Sequence, residues 1–134
     1  MMAFNTSSWS VKEVVNKAKL KLVIPNFSEV LGNTSRGQGV ISKQFDVGGT
    51  KFALEIYPKG YQGAEEGMLS AFLGNESNHD VEVDFTISVE GGHGKGPWHG
   101  GLCQRALWGE LEVIQSNSVN ILNGPLIQAH CTVE

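Results

Sequence analysis

The chain has 134 residues, enough for one domain with a single buried core. Lys and Arg number 10 against 14 Asp and Glu, a net charge of −4, which excludes the cationic footprint of a nucleic-acid binder or a polybasic membrane patch. With 40% apolar and 18% charged residues and no apolar run near ~18 residues, the chain reads as a folded globular domain, neither disordered nor membrane-spanning.

Residues 1–16 are expected to be an N-terminal extension. Ser10 and Glu13 have the spacing of a capping box, which predicts a short helix over Trp9–Lys17. No apolar block or cleavage site marks a signal peptide, so the expected location is the cytoplasm or the nucleus. From residue 17 onward the pattern turns to period two. Ala18, Leu20, Leu22 and Ile24 share one face of a strand, with Lys19 and Lys21 opposite. Residues 41–47 alternate Ile41, Lys43, Phe45, Val47 and run into Gly48-Gly49, a tight hairpin turn. Phe52, Leu54 and Ile56 form the next face, closed by Tyr57-Pro58-Lys59-Gly60. Glu65–Leu73 reads as a second short helix. Val81–Val89 is apolar at every odd position and polar at every even one, the pattern of an antiparallel strand with one wet face. A last strand is predicted over residues 126–133. Glycine, at 17 of 134 residues, punctuates the segments, and the count of short strands points to an all-β antiparallel sandwich of seven or eight strands.

Motifs that carry chemistry are weak. The run Glu90–Gly101 is glycine-rich, but Lys95 is followed by Gly96 and no helix pattern begins there, so a phosphate loop is not expected and an interstrand loop is. His93, His99 and Cys103 lack the paired spacing of a structural zinc site, and no nucleophile elbow is present; neither metal, cofactor nor catalysis is expected. Cys103 and Cys131 read as reduced thiols. Sequons at Asn5, Asn26, Asn33 and Asn75, together with Trp9 and Trp98, leave open a carbohydrate-binding jelly roll. Val11, Val14, Val15 and Ala18 at helical spacing leave open a trimerising segment, though barely two turns long. Between Lys59 and Lys95 stand seven of the fourteen acids and no base, a stretch expected to favour a positively charged partner segment.

Several segments, in this order, resemble the MATH (meprin and TRAF homology) family: Leu22-Val23-Ile24-Pro25-Asn26-Phe27-Ser28, Ser42–Phe52, Ile56-Tyr57-Pro58-Lys59-Gly60, Leu69-Ser70-Ala71-Phe72-Leu73, Phe85-Thr86-Ile87 and Trp108-Gly109. The resemblance covers residues 17–134 and implies a TRAF-like sandwich that holds a short extended peptide in a groove, as a substrate-recruiting or adaptor domain of the ubiquitin pathway or of a signalling scaffold. It implies no enzymatic activity and, for the isolated domain, a monomer. Carried over by position, Phe72 matches an aromatic groove residue, Val83 a position that is aromatic in speckle-type adaptors, and Trp108-Gly109 the groove's Trp-Gly pair. Leu107 stands where the family commonly has Asp, and Glu110 where it commonly has Phe, so a serine-rich motif is not implied. Periodicity sets Val83 beside Phe85 in the core, whereas the resemblance sets it at the groove.

Overall fold

The computed structural model describes residues 8–14, 17–24, 27–89, 95–116 and 126–133. The strands are β1 (Ser8–Val14), β2 (Lys17–Val23), β3 (Val40–Ile41), β4 (Phe45–Val47), β5 (Thr50–Tyr57), β6 (Met68–Asn75), β7 (Val81–Val89), β8 (Lys95–Leu102), β9 (Leu107–Gln115) and β10 (Leu126–Val133), with one helix, α1 (Phe27–Asn33). All pairings are antiparallel. The first sheet has the order β1-β2-β10-β7-β8; the second runs β3-β5-β6-β9, with β4 also on β5. The all-β sandwich expected from the alternation is what the chain forms.

Alternation explains where the core lies. Leu20, Leu22, Val83, Phe85 and Ile87 from the first sheet meet Phe52, Leu54, Ile56, Leu69 and Leu73 from the second, all nearly or wholly buried. Neighbouring sheets pack about 10 Å apart, so such side chains interdigitate in one layer. Phe27 and Val30, one turn apart on α1, add the helix's apolar side to the same cluster. Gly48 and Gly49 have φ of 59° and 85°, the left-handed pair needed by the two-residue turn between Val47 and Thr50.

The structure corrects four expectations. Residues 8–14 are a strand and not a helix: β1 pairs with β2 from Ser8↔Val23 to Val14↔Lys17. The capping box is a local signal of about 1 kcal/mol, and a seven-residue ladder outweighs it. The helical stripe considered for trimerisation is lost with it. Glu65–Leu73 is likewise no helix; Met68–Asn75 is one of the second sheet's two inner strands, covered on both faces. Such a strand reads as a continuous apolar run, which periodicity cannot separate from a buried helix. The glycine-rich stretch is strand from Lys95 onward, set against β7 from Ile87↔Lys95 to Val81↔Leu102. It is an end strand with a register shift between Phe85 and Ile87, the place in a sheet where Gly and Pro do least harm. His93 lies outside the described residues.

The fourth correction is a break in the strand expected over 41–47. Ile41 faces Glu55 and Phe45 faces Phe52, so four steps on one strand oppose three on the other, as in a β-bulge. Ser42 fills the gap: its Oγ accepts the Leu54 N–H at 2.8 Å while its own N–H donates to the Leu54 carbonyl at 2.9 Å. The extra residue shifts the alternation. Ile41 is left 39% exposed while Phe45 and Val47 enter the core.

Candidate functional site

β9 ends the second sheet and β8 ends the first, so among the described residues both have an unpaired backbone edge. Side chains along β9 alternate between the sheet's outer face and the seam between the two sheets. The sequence-derived site residues therefore divide between two surfaces, with β9 as their shared wall.

On the outer face, cross-strand rungs run Ile41–Glu55–Phe72–Gly109 and Ala53–Gly74–Leu107. Tyr57 stands opposite Ser70 in the next rung. Tyr57, Tyr61 and Phe72 pack edge to face, with ring centroids 4.8, 5.2 and 5.9 Å apart. Tyr61 is held there by the 58–67 turn, which is tied down at several points. Tyr61 N–H donates to Ser70 Oγ at 2.9 Å, and Ser70 Oγ donates to the Leu111 carbonyl at 2.5 Å. Glu65 N–H donates to Glu112 at 2.9 Å, and Ser116 Oγ to the Pro58 carbonyl at 2.5 Å. Gly109 is required by space: a Cβ there would lie 2.2 Å from the Ala71 carbonyl oxygen and 2.8 Å from Phe72 Cα.

Glu55 is the residue that sequence reasoning missed. It is 8% exposed, within the buried run Phe52–Tyr57 of β5, and accepts a hydrogen bond from the Tyr57 hydroxyl. Burial raises its pKa, the Tyr57 bond opposes that rise, and the charge of Glu76 adds to it. The Tyr57 hydroxyl is pushed up as well, by burial first and then by Glu55. A carboxyl whose folded pKa is raised contributes most stability at acid pH and loses it as pH rises through the raised value. Glu55→Gln is thus expected to be more stable than wild type at neutral pH by about 1 kcal/mol. The difference should vanish below the usual glutamate range; urea unfolding at both pH values measures it. The legible signal was the single carboxylate in Phe52-Ala53-Leu54-Glu55-Ile56-Tyr57.

Toward the seam, Trp98 of β8 stacks on Phe85 at 4.8 Å and 20°, and Trp108 meets the same ring edge-on at 5.5 Å and 76°. Both indoles are half-buried, whereas Phe85 is sealed. Gly100 makes room, since a Cβ there would lie 3.1 Å from Trp108 Cη2. Val83, opposite Gly100, is completely buried in the first sheet. It is a core residue and not a groove residue, as the period-two pattern requires. Glu110 lies on the seam side of β9, opposite Ala71, and its carboxylate accepts the Glu112 N–H at 3.2 Å. Phe72, Leu107 and Gly109 thus belong to the outer face, and Trp108 and Glu110 to the seam.

Three acids of the acidic stretch have partners within the domain. Asp84 pairs with His99 across the first sheet, Asp80 accepts the Gln104 N–H at 2.9 Å, and Glu76 lies 3.8 Å from Arg105. Asn75 is no free sequon. It is 1% exposed, and its amide donates to the carbonyls of His79 and Leu102 at 2.9 and 3.0 Å. Cys103 is an exposed free thiol, and the Cys131 side chain lies outside the described residues, as do those of Trp9, Asn5 and Asn26. Among the described residues no helix is long and apolar enough to cross a membrane, and no group of His, Cys, Asp and Glu could hold a metal ion.

A family model described as the MATH domain matches residues 19–94, more than half of the chain. A TNF receptor-associated factor family protein of Dictyostelium discoideum is 30% identical over 69 residues, 52% of this chain and 13% of that relative. The chain therefore spans only a small part of that relative's length. This chain belongs to the MATH domain family, whose members are generally protein-interaction modules.

Proposed function

We propose that the domain recruits another protein by taking an extended segment of it along the free edge of β9, without chemistry of its own. An added strand there gains backbone hydrogen bonds, and its alternate side chains fall on the outer face near Phe72 and in the seam beside Trp108. The observation that carries this reading is Trp108, partly buried at the margin of the core on an end strand and packed edge-on against the buried Phe85. A substrate-recruiting or adaptor role in the cytoplasm or nucleus, in the ubiquitin pathway or a signalling scaffold, follows from the same reading. Binding should be micromolar, because a short segment loses conformational entropy on docking.

The test is selection from a randomised linear-peptide library, followed by titration of the winners against Trp108→Ala and Phe72→Ala. Trp108→Ala is expected to weaken binding by ~10-fold or more while circular dichroism still reports a folded sandwich. A folded Trp108→Ala domain that binds the winners as tightly as wild type refutes the groove.

A further inference from the structure

The outer face of the first sheet carries a row of lysines with no ion-pair partner among the described residues. β2 alternates buried Ala18, Leu20 and Leu22 with Lys17, Lys19 and Lys21, of which Lys17 and Lys21 are exposed and Lys19 is half-buried. Lys12 of β1 stands directly opposite Lys19, and residues facing each other across an antiparallel pair share one face. The other positions flanking these lysines are Ser10, Val14, Gln128, His130 and Thr132, so neither neighbouring strand sets a carboxylate beside them on this face. Glu13 falls opposite Ala18, in the inward row. The first acid in any of these rungs is Asp84, level with Lys17 but two strands away, and it already pairs with His99.

Like charges set opposite one another destabilise a sheet, and lysines that guard a sheet against stray pairing belong on its edge. β2 is an inner strand between β1 and β10, so Lys17, Lys19 and Lys21 guard no open edge. The row calls for an anion from outside, and its shape selects the kind. The lysines recur at every second residue, ~6.7 Å apart, which is also the step between alternate side chains of any extended chain. Toward β7 the same face turns acidic, with Glu82 exposed and Asp84 half-buried on either side of buried Val83. A membrane plane or a nucleic-acid duplex would press its charge onto those acids, whereas a single line of carboxylates would not.

We infer that the row Lys17, Lys19 and Lys21 docks an extended acidic segment of a partner protein, with Asp or Glu at alternate positions. The surface belongs to the first sheet, so it is separate from the β9 edge and does not depend on the reading given to that edge. Each exposed pair contributes little alone, and three in register are what hold the segment. Specificity lies in the spacing: the acids must fall on one side of the bound chain.

Fluorescence anisotropy tests it with a labelled peptide that carries three glutamates at alternate positions among Ser, Thr and Gly. The peptide is expected to bind the domain and to be released at ~1 M salt, where charges are screened within ~3 Å. The double variant Lys19→Gln/Lys21→Gln should bind at least ~10-fold more weakly, and a peptide with glutamine for glutamate should lose as much. Lys51→Gln, the same charge change on the second sheet, should leave binding unchanged. Spacing the same glutamates three residues apart puts them on alternating sides of an extended chain and should also weaken binding. Equal binding by that peptide, by the double variant or by the glutamine peptide overturns the inference, as does failure of the alternating peptide to bind. Phosphatidylserine vesicles or duplex DNA that bind where the peptide does not give the face to another occupant and overturn it too. So does a free domain that sediments as a dimer until the lysines are replaced. Because the peptide changes leave the protein untouched, a double variant that folds poorly does not spare the proposal.

Discussion

Replacing Gly109 by alanine is expected to destabilise the domain by at least ~3 kcal/mol, a large share of the ~5–15 kcal/mol that holds a domain of this kind folded. The added Cβ would stand 2.2 Å from the Ala71 carbonyl oxygen and 2.8 Å from Phe72 Cα, both of them backbone and unable to swing aside. Relief requires β9 to move away from β6, which breaks the rungs Ala71↔Glu110, Phe72↔Gly109 and Leu73↔Trp108. Gly32→Ala in α1 is the control: nothing lies within 4 Å of that Cβ, and its backbone is helical. It should gain about 0.5 kcal/mol from the lower entropy of the unfolded chain. Urea melts of the two variants give opposite signs for the same chemical change. If Gly109→Ala melts with wild type, the close approach of β6 and β9 is not as described. In the proposed binding site the consequence is direct, because this approach sets Phe72 behind the edge that a ligand strand would join.

Phe85→Ala should cost about 3–5 kcal/mol, the ordinary range for removing a buried phenyl ring. Phe85 is 2% exposed and carries Trp98 on its face and Trp108 on its edge, so its loss opens a cavity under both indoles. Near-ultraviolet circular dichroism should fall with stability, since it reports the fixed surroundings of those rings. Phe85→Leu keeps most of the volume and should recover more than half of the loss. Peptide binding should weaken in Phe85→Ala even where the domain is still folded, because Trp108 no longer has a surface that holds its orientation. A Phe85→Ala domain with unchanged aromatic signal would mean that the seam is not built on this ring.

How much of this was legible depends on how many faces of each strand are buried. β2, β7 and β10 belong to a sheet with one covered side, and for β2 and β7 the apolar alternation predicts the strand and its inward face. β6 is covered on both sides, so Met68–Asn75 has no alternation to read and imitates a helix. β1 is an end strand whose residues also satisfy a helix cap, and the ladder with β2 decided between them. Val83 shows the same division within the candidate site. The resemblance set it at a groove, while its strand's own period set it in the core, where it lies.

What the amino-acid order alone determined is therefore the class of fold, the Gly48-Gly49 hairpin, the inward faces of β2, β5 and β7, and the family segments up to Trp108-Gly109. The tertiary structure decided the rest: that β8 and β9 end their sheets, that one strand shares its site residues between two surfaces, and that Glu55 is buried against Tyr57. The reason is physical. Alternation and turn chemistry act between residues a few positions apart, where the chain carries its own record. Which edge stays open, and whether a carboxylate is covered, depend on strands 17 and 37 residues away in the chain, as in Glu55↔Phe72 and Phe72↔Gly109, and no local pattern encodes them.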